Sequence, residues 1–284
     1  MIADTLAPVA GFDEDHAALR AACEPGVALC TIVGIEGSFS RRIGAQLAVR
    51  PDGSVSGSLA DGCLERQLAV DVAAMKEPIV RRYGAGSDLI DFRLPCGSGL
   101  DILLEPAPDR AKLRAVAHHL DQRQPARLEL PACSPLRERT FVPQLAVRAF
   151  GEGRELEVLA RLAGAMGVRI EKLTRSELSL GRASGLPLCD AWTATVLLFH
   201  DHEWELALIE EALESDAFYI GAQGGESARI RRVLELQARG VDETALARLE
   251  SPIGLIPTCK DPATLALSVL TEIAGRYGAL RDAA

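Results

Sequence analysis

Aromatic residues are scarce in this chain, at 4% of its 284 residues. No apolar run approaches the roughly 18 residues that a membrane-spanning helix needs, so a helical membrane protein is excluded. Basic charge is in deficit: 31 lysines and arginines stand against 40 acidic residues, for a formal net charge of −9. That is the wrong sign for a protein that neutralises phosphates along a nucleic acid, and nucleic acid is not expected as a partner. The seven cysteines are odd in number and contain no Cys-x-x-Cys pair, which argues against a disulfide framework and against a zinc knuckle. Reduced thiols are expected. Met1–Phe12 leads straight into Asp13, Glu14 and Asp15 without the basic start and apolar core of a secretion signal, so a cytoplasmic location is expected.

What is present is a globular composition, 48% hydrophobic and 25% charged, in a chain long enough for about two domains at roughly 150 residues each. The first half reads as a helix, a β-rich run over 27–35, and a hairpin over 46–58 around the turn Pro51-Asp52-Gly53-Ser54. Leu64, Leu68, Val72 and Met75 then recur at helical spacing behind Asp61-Gly62. Strands over 89–93 and 100–105 flank Pro95-Cys96-Gly97-Ser98-Gly99, and a helix over about 109–122 follows. The stretch 124–143 carries Pro125, Pro131, Pro135 and Pro143 and reads as a connection, which gives domains 1–143, linker included, and 144–284. Beyond it, strands over 145–150, 168–173, 194–199 and 218–222 alternate with helices over 155–166, 203–213, 227–239 and 262–277. That pattern predicts a parallel sheet covered on both faces, a Rossmann-like α/β domain after an α+β domain.

The turn Phe150-Gly151-Glu152-Gly153-Arg154-Glu155-Leu156 lies where a dinucleotide fingerprint belongs, but Leu156 fills the third glycine position and Glu152 adds a negative charge. The next strand ends in Leu173-Thr174-Arg175, with no acid for a ribose hydroxyl. NAD(P) is therefore not expected to bind. His200 and His202 share a face on extended backbone, yet no third ligand accompanies them, so a polar loop is the preferred reading. The loop Gly221-Ala222-Gln223-Gly224-Gly225 could hold an anion on its amides, or be a glycine turn ahead of a solvated basic face bearing Arg229, Arg231 and Arg232. His16, His118 and His119 read as surface residues, and Cys23, Cys30, Cys133, Cys189 and Cys259 as small buried hydrophobes. Cys63 falls in the first turn of a helix, where the dipole favours the thiolate, and Cys96 in a glycine-rich loop. Ser38, Arg41 and Arg42 follow a strand and suit an oxyanion.

Taken together, these segments resemble the XdhC/CoxI family of accessory proteins that mature molybdenum hydroxylases. The matching stretches are Glu36-Gly37-Ser38 with Arg42 and Gly44-Ala45, Gly57-Ser58-Leu59 leading to Gly62-Cys63-Leu64-Glu65, Leu94-Pro95-Cys96-Gly97 with Gly99, and Glu105-Pro106. In the second half they are Tyr219-Ile220-Gly221-Ala222 with Gly224, Gly240-Val241, and Pro252-Ile253-Gly254-Leu255 with Pro262 and Ala266-Leu267-Ser268. The resemblance implies a chaperone, not a turnover enzyme, that binds the molybdenum cofactor (molybdopterin), protects it during sulfuration and delivers it to an apo molybdenum hydroxylase of the xanthine dehydrogenase type. A cysteine desulfurase would be a further partner, and a homodimer is compatible with this role. It implies Cys63 and Cys96 as the thiols nearest the metal. Ser38, Arg42, Gly62, Gly97, Gly151, Gly153, Gly221 and Gly224 would line the cofactor site. The other readings are an NAD(P)-dependent oxidoreductase built on the second domain, and a maturation factor for carbon monoxide dehydrogenase.

Overall fold

A computed structural model of the chain describes residues 14–59, 62–87 and 97–284. The strand expected over 89–93, and Cys96, lie outside the described residues. The chain divides into two compact units, Asp13–Pro143 and Gln144–Ala284.

The first unit is built on a five-stranded antiparallel sheet. Its strands are β1 (Ala28–Glu36), β2 (Gln46–Val49), β3 (Val55–Gly57), β4 (Ile79–Gly84) and β5 (Gly99–Glu105), in the order β3-β2-β1-β5-β4. Successive side chains of a strand point to opposite faces, and here both faces are buried. Leu29, Val33 and Leu103 pack with α1 (Glu14–Ala22) and α3 (Arg110–Asp121), while Cys30, Ile32, Ile102 and Leu104 pack with Leu64, Leu68 and Val72 of α2 (Gly62–Ala73). Leu64, Leu68 and Val72 of the spacing read from the sequence are thus the buried stripe of α2, whereas Met75 lies past the end of the helix, half-buried against the same core. The Asp109 carboxylate caps α3, accepting from the amides of Ala111 and Lys112 at 3.0 and 3.2 Å.

Three expectations for this unit are corrected. The strand β4, with Tyr83 buried near its end, was not foreseen, because its alternation is masked by Arg81 and Arg82. The stretch 124–143 is no bare connection. It forms an antiparallel hairpin of β6 (Ala126–Glu129) and β7 (Glu138–Phe141), which buries Leu128, Leu130 and Phe141 in the core with α1 and α3. Its prolines sit outside the two strands, where no ladder donor is lost. His16 is buried, not superficial: its Nε2 lies 2.9 Å from the carbonyl oxygen of Val142.

The second unit carries the parallel sheet. Strands β8 (Ala146–Gly151), β9 (Arg169–Leu173), β10 (Thr193–Leu198), β11 (Tyr219–Ala222) and β12 (Leu249–Glu250) lie in the order β12-β11-β10-β8-β9, every neighbouring pair parallel. Helices α4 (Gly153–Ala165), α5 (Leu206–Glu214), α6 (Glu226–Ala238), the short α7 (Glu243–Leu246) and α8 (Pro262–Ala283) connect and follow them. Phe150, Leu197, Phe199 and Ile220 pack with Leu208, Ile209 and Leu236 of α5 and α6, and α4 lies against α8. Chain order reverses between β8 and β10. Doubly wound sheets place ligands beyond the carboxyl ends of the strands that flank such a switch. Among the described residues no helix is long and apolar enough to cross a membrane.

Candidate functional site

In the first unit, three of the loops that carry sequence motifs are tied together by hydrogen bonds. After β1, Gly37 turns the chain at a positive φ of 86°, open to glycine without steric cost. The hydroxyl of Ser98, just before β5, donates to the carbonyl oxygen of Ser38 at 2.5 Å. Arg41 reaches across to Ser58, donating to its carbonyl oxygen at 3.3 Å and its hydroxyl at 3.1 Å. Behind them Arg82 pairs with Glu36 and, at 3.2 Å, with Asp101. Gly99 must lack a side chain because a Cβ there would lie 2.7 Å from the carbonyl oxygen of Ala85.

Cys63 is the second residue of α2 and is exposed. Arg66, one turn on, places Nη2 3.4 Å from its sulfur, and Glu65 accepts from the amide of Leu59 at 3.2 Å. An accessible thiol beside a guanidinium at a helix start can ligate a metal or accept a sulfur atom. Among the described residues, nothing lies within 4 Å of where a Cβ on Gly62 or Gly97 would stand. Arg42 is half-buried, and its carbonyl accepts from Ala45 at 3.2 Å. Ser38 and Gly97-Ser98 are therefore brought side by side, and the loop leading to Gly62-Cys63 is held to the same β1–β2 loop through Arg41. Of the cysteines read as buried, Cys30 and Cys189 are so, whereas Cys23 and Cys259 are half-buried and Cys133 is exposed.

The second unit has a cleft of about 770 Å³ at the carboxyl end of its sheet. Glu155 of α4, His200 after β10, Gln223 and Gly224 after β11, and the segment from Pro252 to Pro262 line it. Neither α4 nor α6 has a side-chain cap, whereas the Asp261 carboxylate accepts from the Thr264 amide at the start of α8. Gln223 is buried, and its Oε1 has no hydrogen-bond partner among the described residues. Sequence reasoning missed Gln223, Glu155 and the wall from Pro252 onward. Pro252-Ile253-Gly254-Leu255 was visible as a motif, but nothing in it showed that the chain returns there to the sheet edge.

The four glycines expected to line a cofactor site divide. Gly224 lines the cleft. Gly151 serves packing: a Cβ would lie 2.8 Å from the Leu198 carbonyl oxygen. Gly221 lies inside β11, where a Cβ would come within 2.6 Å of Tyr219 and Ile253. Gly153 starts α4 at φ 75°. In the same turn Leu156 is a core residue, and Glu152 pairs with Arg175 at 3.3 Å.

The basic face expected on α6 is also corrected. Arg229 and Arg231 are exposed, but Arg232 is 2% exposed. It donates to Glu205 Oε2 at 2.7 and 3.1 Å, to the Gln223 carbonyl at 2.8 Å and to the Ser251 hydroxyl at 2.7 Å. It is an internal tie that fixes two walls of the cleft. His202 contacts Glu205 at 3.0 Å, while His200 lies 3.3 Å from the Gln223 amide nitrogen. Among the described residues no group of three His, Cys, Asp or Glu side chains could hold a metal ion.

Comparison with known proteins decides the family. Residues 21–84 match the model of the XdhC and CoxI family, and residues 147–273 match the model of the XdhC Rossmann domain. The molybdenum cofactor insertion chaperone PaoD of Escherichia coli (strain K12) is 32% identical over 286 residues, covering 92% of this chain and 88% of that protein. This chain belongs to the XdhC/CoxI family. A crystal structure described as a xanthine dehydrogenase from Bacillus halodurans superposes with a TM-score of 0.73 at 19% identity, covering 94% of this chain and 96% of the other. That likeness shows the fold: an antiparallel first unit and a parallel, Rossmann-type second unit.

Proposed function

We propose that this XdhC/CoxI protein is a molybdenum-cofactor chaperone, an accessory factor without turnover of its own. It holds the cofactor during sulfuration and passes it to an apo molybdenum hydroxylase of the xanthine dehydrogenase type, in the cytoplasm and with a cysteine desulfurase as sulfur source. The observation that carries the reading is the 32% identity with an insertion chaperone in an alignment that covers 92% of the chain.

The cofactor is cargo, and the first-unit loops suit it. Cys63, exposed beside Arg66, would face the metal or its incoming sulfur, together with Cys96. Ser38, Arg42 and the amides around Gly62 and Gly97 would hold the anionic groups of the pterin. No described residue crowds Gly62 or Gly97, and without a Cβ each lets a ligand approach the backbone.

The test is the molybdenum and pterin content per chain after anaerobic incubation with the cofactor and gel filtration. Wild type is expected to retain the cofactor stoichiometrically, and Cys63→Ala and Cys96→Ala to lose most of it. Wild type that retains none overturns the chaperone reading; undiminished retention by both variants overturns the assignment of the site.

A further inference from the structure

The motif Glu105-Pro106 ends β5, the strand that begins at Gly99 beside the loops described above. Seven extended residues separate the two ends by about 20 Å, so what surrounds Glu105 is remote from Cys63 and its loops. A pocket of about 400 Å³ opens there. Pro78, Pro106 and Pro131 contribute to its wall, and their fixed φ makes for a preformed shape.

Glu105 is 8% exposed, and its Oε2 has no hydrogen-bond partner among the described residues. Buried carboxylates normally pair or accept hydrogen bonds, because an uncompensated one is costly. The charged neighbours do not supply that compensation. Lys112 is committed to Glu129 at 2.8 Å, and Asp109 to capping α3. Lys76 and Glu77 are exposed where the chain runs on from α2, and the thiol of Cys30 on β1 feels the Glu105 charge. Burial alone pushes the Glu105 carboxyl up to about 7. The arrangement is a preformed pocket with a carboxyl that lacks a cation. One deep carboxylate suits a single organic cation better than a metal ion, which needs several ligands.

We propose that this pocket is a binding site for an organic cation, an alkylguanidinium or alkylammonium group, with the Glu105 carboxylate as its counter-ion. The aliphatic part of the ligand lies along the proline rings and Leu130, and the charged head reaches the carboxylate. The site is independent of the cofactor reading and stands or falls separately.

Butylguanidinium and butylammonium are the probes, titrated into the full chain labelled at its glutamate carboxyl carbons, with Glu105→Gln assigning the signal. Saturable binding is expected to shift the Glu105 resonance. Only the ionised carboxylate attracts the cation, so a midpoint of about 7 makes affinity about tenfold greater at pH 8 than at pH 6. Glu105→Gln, nearly isosteric, should fold and lose both the binding and its pH dependence. A one-arginine peptide binding much more tightly than butylguanidinium would place the cation on a protein partner. Equal affinities would place it on a free small amine. No shift of the Glu105 signal at pH 8 with millimolar probe, or equal affinity in Glu105→Gln, overturns the proposal.

Discussion

A carboxyl held near neutrality by burial makes the protein less stable wherever it ionises, and the sign follows from the two states. Glu105 titrates at about 7 when folded, against an ordinary value of 4.5. Its contribution is fully present below pH 4.5 and is lost as pH rises through that window to about 7; the loss, complete above the folded value, amounts to about 3 kcal/mol. Glu105→Gln should therefore match wild type in urea unfolding at pH 4.5 and exceed it by roughly 1–3 kcal/mol at pH 8. Equal stability at pH 8 would show that the carboxyl is already compensated. Other single residues were legible to different degrees. Cys63 stands at a helix start, as its Asp-Gly-Cys setting indicates; that it is exposed came from the structure. Arg232 was misread, because nothing local distinguishes an arginine on a solvated helix face from one whose Glu205 partner lies 27 positions back in the chain.

At the scale of elements, strong periodicity was readable and weak or masked periodicity was not. The stripe Leu64, Leu68 and Val72 and the β-rich runs of the second unit emerged in place, since burial leaves the same pattern in sequence and structure. The β6–β7 hairpin did not, because four flanking prolines outweighed two four-residue strands. Glycines were legible as special positions but not for their reasons. In the β8–α4 turn the pattern suggested a phosphate cradle, whereas Gly151 is required by the approach of Leu198 on β10. Gly151→Ala should part these paired strands and cost roughly 2–3 kcal/mol. Gly164→Ala is the control: it lies within α4 with nothing within 4 Å of its would-be Cβ, and should stabilise by about 0.5–1 kcal/mol. Chemical denaturation of both variants checks the pair. A Gly151→Ala protein as stable as wild type would return that glycine to ligand binding.

At the scale of the molecule, each unit carries its own core, and the order of motifs along both was the most informative property of the sequence. The cleft of the second unit was not legible, because it is assembled from segments more than 100 residues apart, Glu155 to Pro262. Its walls depend on one buried ion pair. Both partners, Arg232 and Glu205, have side chains only 1% exposed. Removing one partner of such a pair leaves an uncompensated charge and costs about 3–5 kcal/mol. The chain has two tryptophans, Trp192 and Trp204, both in the second unit, so intrinsic fluorescence follows that unit alone. Arg232→Ala should lower the fluorescence midpoint sharply, while far-UV circular dichroism separates into an early phase that matches the fluorescence and a later phase from the first unit at its wild-type midpoint. Replacing both partners, Arg232→Met with Glu205→Leu, should recover part of the loss, since an apolar pair leaves no buried charge behind. A fluorescence midpoint unmoved by Arg232→Ala would mean that water reaches Glu205 and that the cleft walls are held by other contacts. One concerted transition in both signals would mean that the two units unfold as a single cooperative body.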